Sequence, residues 1–300
     1  MRRNTTWLGV PAACLALSVM PHAARAQQSI LLRYHPHPRA QMQTVVWSDL
    51  TSTISEQGSA DSITIEAGAL QSITQRLVEE RGAFYLIEVM IDSTRARTRP
   101  LGGAWSDVEH PAQHVAARFL VDDRFRISDV EAVGEDTALI AEIQTMGGLA
   151  PGFEFVLPEE PIAVGESWTA DIVFPLSTSS GLEGEEGVAE SLPQQAEIIA
   201  LSTFTLDSLV VRPTDTLAYV RIRGSFLPTT VTEAGEEAGG ALDITGAFGG
   251  HMIWSTAWDA FVSGAVRTRA TVRFQLGTPE AGMVTMVLSL DGSTRFQVRP

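Results

Sequence analysis

Residues 241–276 alternate apolar and polar side chains on a strict two-residue beat. Leu242, Ile244, Phe248, Met252, Trp254, Trp258, Val262, Val266, Val272, Phe274 and Leu276 share one parity, with Gly246, Gly250 and Gly264 among them. Asp243, Thr245, His251, Ser255, Asp259, Ser263, Arg267, Arg269, Arg273 and Gln275 occupy the other. Successive side chains of a strand point to opposite faces, so this beat describes a sheet with one apolar and one wet face. The run is too long for one ordinary strand. It predicts a hairpin of two long strands turning within residues 259–264, with the glycines giving room for bends or bulges.

The same beat recurs along much of the chain. Met42, Val46, Leu50 and Ile54 share one parity, against a mixed second face with Val45, Trp47 and Asp49; Ala218, Val220, Ile222 and Phe226 alternate with polar positions, and Val284, Met286, Leu288 and Leu290 again share one parity. Residues 63–80 fit a strand and a helical stripe about equally, but Gly68 and the β-branched residues favour a hairpin with 84–91. Short strands are expected at 115–121, 125–130 and 137–146, and a longer one opening at Trp168. Asp291-Gly292 has the composition of a two-residue hairpin turn. Residues 93–108 read as a loop, 107–114 as one short helical turn, and 177–191 and 232–240 as acidic connections. The expected fold is mainly β: a large curved antiparallel sheet of long hairpin-connected strands with few short helices. Two β-rich halves, 27–150 and 151–300, read as continuous with each other, although two packed halves meeting near residues 150–157 also fit. An outer-membrane barrel has the same alternation.

The first residues read as a segment outside the fold. Arg2 and Arg3, an apolar stretch from Trp7 to Met20, and Ala24-Arg25-Ala26 describe a secretory signal peptide over 1–26. The stretch is short for a membrane span. Cys14, the one cysteine, falls inside it and lacks the upstream residues of a lipid-attachment site. The mature chain is thus expected in a periplasm or outside the cell, without thiol chemistry. It would keep 18 arginines against 36 acidic residues, a formal charge of −18. That argues against nucleic acid and anionic membrane surfaces as partners. The chain contains no lysine, which excludes Schiff-base chemistry.

No catalytic constellation emerges. Neither G-x-S-x-G nor H-E-x-x-H occurs. His110 and His114 have helical metal-ligand spacing and could bind zinc with Asp107 or Glu109, but no further histidine cluster or cysteine is near, and His35 and His37 flank a proline in an extended segment. Asp171, Asp207 and Asp259 offer no favoured pair for acid–base work. The sequence therefore assigns no catalytic, cofactor or metal residues. Phe248, Met252, Trp254 and Trp258 remain the candidates for a hydrophobic ligand site. Aromatics and a methionine on one face would line a cavity, or else form the packed core.

Leu32-Arg33-Tyr34, the segment Leu157-Pro158-Glu159-Glu160-Pro161-Ile162-Ala163-Val164-Gly165-Glu166-Ser167-Trp168 and the paired strands of 241–298 resemble features of uncharacterised exported bacterial β-rich proteins. The architecture is also distantly similar to periplasmic lipoprotein carriers of the LolA and LppX kind. That likeness implies a curved sheet around an acyl-chain cavity. The expectation is a non-enzymatic binder of a lipid or other hydrophobic ligand. The alternative is an envelope structural domain, without a cavity, whose partner is another envelope protein. N-terminal sequencing of the exported protein should start at Gln27; a mature chain that keeps Arg2, or begins at a lipidated Cys14, would contradict the signal assignment.

Overall fold

A computed structural model describes residues 28–37, 41–108, 115–133, 156–176, 196–227, 243–278 and 282–299. The signal segment with Cys14, the expected strand at 137–146, the acidic connections, and His110 and His114 lie outside these residues. Among the described residues there are fourteen strands and no helix. In the first half they are β1 Ser29–Ile30, β2 Gln41–Glu56, β3 Ser62–Arg81, β4 Phe84–Pro100, β5 Ser106–Val108, β6 Val115–Asp122 and β7 Ile127–Val133. In the second they are β8 Ile162–Ala163, β9 Ser167–Leu176, β10 Ala196–Val211, β11 Thr216–Phe226, β12 Asp243–Ser255, β13 Ala260–Thr278 and β14 Gly282–Arg299.

Twelve strands form one antiparallel sheet in the order β7-β6-β4-β3-β2-β14-β13-β12-β11-β10-β9, with β5 against β4. Each half is a meander of sequential neighbours. The last strand joins the first long one, with Phe296 opposite Val46 and Asp291 opposite Thr51. The sheet does not close, because β7 and β9 remain its two edges.

The apolar parity of every long strand falls on one face. Reading across the ladder, Phe119, Ile87 and Leu77 lie in one row, and Phe204, Ile222, Gly250 and Val266 in another. Ile87 and Phe119 from one wing and Phe204, Val220, Met252 and Trp254 from the other belong to a single buried cluster. This face is therefore concave, and the sheet curls until its two wings share a core. The opposite, convex face carries Arg267, Arg269, Arg273, Arg295, Arg97 and Asp49, all exposed. A lipid-embedded barrel has the reverse polarity, apolar outside and polar within.

The cover of the concave side is not helical. Two extended segments fill it at one end. Ser29 and Ile30 pair with Ala163 and Ile162. Leu32, Tyr34 and Leu157 are then buried between the wings. The Tyr34 amide donates to Asp123 O (2.8 Å) and the Leu157 amide to Arg124 O (2.9 Å), both in the β6–β7 turn. From the other side, the Gly165 amide donates to Leu206 O (2.7 Å) and the Leu206 amide to Glu166 O (3.0 Å). Arg33 donates to Pro158 O and Glu159 O and lies 3.2 Å from Asp123. The Leu-Arg-Tyr and Gly-x-x-Trp segments singled out in the sequence thus meet in space as a clasp across the open edges. Gly165, at φ 92°, makes the turn that returns the chain to β9, and the Trp168 indole donates to Val156 O (2.8 Å).

Four local expectations are corrected. The turn of the long hairpin is at residues 256–259, ahead of the expected 259–264, and a bulge beside Trp254 places Phe261 rather than Val262 opposite it. Asp291-Gly292 is not a turn but the middle of β14. Asp291 is fixed by Arg267 and Arg269 on β13 (2.8 and 3.1 Å), and Gly292 pairs with Leu50 and Thr268. Residues 93–100 continue β4 because β3 pairs with them up to Pro100, and residues 106–108 pair with β4 instead of starting a helix.

The concave glycines have a packing reason. A Cβ on Gly250 would collide with the Ala265 carbonyl, whereas one on Gly249, facing outward, would meet its nearest neighbour at 3.5 Å. Gly250→Ala should therefore destabilise by about 1–3 kcal/mol, the usual cost of forced overpacking. Gly249→Ala should be neutral or stabilise slightly. Equal shifts of the two chemical denaturation midpoints would contradict the assignment of faces.

Candidate functional site

The clasped end of the concave face holds a half-open apolar cavity of about 120 Å³. Strand parity supplies its wall: Met42, Thr44 and Val46 from β2, Ile73 and Gln75 from β3, Ile87 and Val89 from β4, and Phe119 and Val121 from β6. Ile127 on β7, Ala260 and Phe261 on β13, and Phe296 and Val298 on β14 complete it. Tyr34 and Phe125 close it from the clasp and the β6–β7 turn, meeting edge-on with ring centroids 4.7 Å apart. Phe125 adopts φ 65°, which turns the β6–β7 connection back within four residues. Asp122 holds that turn by accepting from the Arg124 and Arg126 amides (2.9 and 2.8 Å) and the Arg126 guanidinium (2.6 Å).

Apart from Thr44, one side-chain pair brings polarity to this wall. Gln75 Nε2 donates to the Tyr34 hydroxyl. Burial pushes the Tyr34 phenol above its usual range, against the opposing effect of the Gln75 hydrogen bond, with Tyr85 adding to the rise. The cavity therefore presents a neutral hydroxyl and no charge. A volume near 120 Å³ is below the ~300–1,000 Å³ of sites for drug-sized ligands. It is comparable to the ~150 Å³ apolar cavity that holds a benzene ring. It suits a slender apolar group such as the end of an acyl chain.

Three of the four sequence candidates sit elsewhere on the same face. Trp254, 1% exposed, packs edge-on against Phe261 at 5.1 Å, one layer behind the cavity wall. Met252 is fully buried, and Phe248 is buried beside Phe226 at 5.6 Å. None of the three lines the cavity at the clasp. Trp258, in the turn after β12, lines a crevice of about 10 Å³ with His37, Arg76 and Leu77 that shares Tyr34, Met42 and Gln75 with the larger cavity. The wall residues of the first half, and Phe296 and Val298, were missed as candidates although their alternation was legible. The signal that selects them is the pairing of β14 with β2, which the alternation does not contain.

Among the described residues no three His, Cys, Asp or Glu side chains converge as metal ligands. His35 Nδ1 shares a hydrogen bond with the Tyr85 hydroxyl (2.6 Å). Asp259 has its carboxyl pushed up by burial, with His35 opposing. Asp207 is paired with Arg221 (2.8 Å), and Asp171 is exposed. Further along the concave face, Leu50, Ile63 and Ile65 are exposed, Ile63 at 66%.

No family model and no curated protein matches this chain. Among solved structures it is similar to an outer membrane channel from Pseudomonas putida F1, at 8% identity and a TM-score of 0.23 over 89% of this chain and 98% of that one. It is also similar to the beta domain of the Bordetella autotransporter Brka, at 10% identity and a TM-score of 0.19 over 85% and 99%.

Proposed function

We propose that this is an exported, non-enzymatic binding protein that holds a slender hydrophobic ligand, of the acyl-chain kind, against the concave face. The observation that carries this reading is the half-open apolar cavity with the neutral Tyr34–Gln75 pair in its wall. An acyl chain with its end in that cavity would extend along the same face toward Leu50, Ile63 and Ile65, where apolar side chains meet solvent. Burying such surface contributes about 25 cal/mol per Å². The second reading is an envelope structural or protein-interaction domain. Dense packing around Phe248, Met252 and Trp254, and the modest cavity volume, favour it.

Native mass spectrometry of the protein from its host, and again after incubation with palmitate, separates the two readings. The binder carries or takes up lipid stoichiometrically. Val298→Phe, which fills the cavity from β14, should abolish uptake while leaving the melting temperature unchanged or higher. A parent protein that carries no lipid and takes up no palmitate supports the structural domain instead.

A further inference from the structure

We propose that the convex face over β4, β3, β2, β14 and β13 is a binding site for an anionic oligosaccharide. It lies on the opposite side of the sheet from the apolar cavity and does not depend on that reading. The register aligns a row across these strands: Asp107, Arg97, Gly68, Asp49, Ser293 and Arg267. One rung toward the clasp, Arg95, Leu70, Trp47 and Arg295 form a second row. One rung away from it, Arg99, Glu66, Thr51, Asp291 and Arg269 form a third. From β4 to β13 the rows extend about 19 Å, four interstrand spacings.

Gly68 and Ser293 keep the middle row low between long side chains. Two recesses of about 360 and 410 Å³ result, and Asp49 lines both. Trp105 lines the first and Trp47 the second. The Arg97 and Arg99 guanidiniums stand over the Trp105 ring at 4.4 and 4.6 Å, and Arg295 stands over Trp47 at 5.6 Å. Trp105 is still 39% exposed.

Charge makes this patch unlike the rest of the chain. The three rows hold Arg95, Arg97, Arg99, Arg267, Arg269 and Arg295 against Asp49, Glu66, Asp107 and Asp291, a local cation excess on a chain of formal charge −15. Glu66 is paired with Arg99, and Asp291 with Arg267 and Arg269. Among the described residues, Arg95, Arg97 and Arg295 have no carboxylate within ion-pair reach, and the Asp49 carboxylate accepts no hydrogen bond.

This donor and acceptor set selects the ligand class. Unpaired guanidiniums match carboxylate or sulfate groups in a bidentate geometry. The Asp49 carboxylate in both recesses accepts from hydroxyls, and the part of the Trp105 indole that stays exposed beside the guanidiniums suits the C–H surface of a sugar ring. A peptide is a poorer fit, because the floor is the middle of a sheet whose backbone groups are all used in the ladder, with no free edge to extend. Nucleic acid is disfavoured by interleaved carboxylates and by the overall negative charge.

The test is calorimetric titration of the full-length mature protein with hexagalacturonate, a sulfated heparin hexasaccharide and neutral maltohexaose. Tryptophan emission is followed in parallel. Saturable binding of at least one anionic hexasaccharide is expected, with none of maltohexaose at the same concentration. Arg97→Gln and Arg295→Gln should each weaken binding about tenfold, the scale of one lost charge-assisted contact. Arg212→Gln, in the exposed turn between β10 and β11 and off all three rows, should leave it unchanged. If an arginine variant lowers the melting temperature, Trp105→Ala in the loop before β5 provides the equivalent reading. No binding of either anionic probe, equal binding of maltohexaose, or an equal loss in Arg212→Gln would overturn the proposal.

Discussion

A single-layer sheet has to cover its own apolar face. This chain places its apolar parity on one side of twelve strands, and among the described residues no helix packs against it. Left flat, that side would expose far more hydrophobic surface than a soluble protein ordinarily shows. Curling brings the two wings together, and the clasp of residues 29–34 and 156–166 fills the space they leave. The hydrogen bonds of Tyr34, Leu157 and Gly165 tie that filler to both wings. The buried cluster shared by Ile87, Phe119, Phe204 and Trp254 depends on that closure.

The two candidate sites follow from the same geometry. Curling leaves a small apolar void where the clasp, β6 and β14 do not fill the space between them. On the convex side, curvature splays the outward side chains apart. Long arginines then stand around short Gly68 and Ser293, and open recesses form between them. Twelve strands sharing one pattern thus build an uncharged interior and a heavily charged exterior. The deep burial of Tyr34 suits the first, and the Arg267–Asp291–Arg269 cluster, whose Asp291 carboxyl is held down to about 2 mainly by the Arg267 hydrogen bond, suits the second.

The long strands were legible because alternation is a local property. The beat over Ile244–Trp254, Val266–Phe274 and Ala218–Phe226 predicted two faces, and the structure places those residues accordingly. Local turn chemistry misled at Asp291-Gly292, where ion pairs to a neighbouring strand outweigh the turn preference of the dipeptide. Residues 93–100 have little periodicity, yet β3 recruits them as strand. The candidate site was only half legible. Phe248, Met252 and Trp254 were correctly placed on the apolar face, but that face is cavity in one wing and packed core in the other. Which is which follows from β14 pairing with β2 and from Leu32-Arg33-Tyr34 crossing to residues 157–159. Those contacts join residues more than a hundred positions apart and leave no periodic trace.

The clasp is the part of this account most open to direct measurement. Amide hydrogen exchange, resolved by residue, reads it without any substitution. The amides of Tyr34, Leu157 and Gly165 should exchange as slowly as those in the centre of β11 and β12, since opening them requires parting the two wings. Exchange of these three at the rate of exposed loops, while β11 and β12 stay protected, would contradict a sheet held in its curled form by the two extended segments.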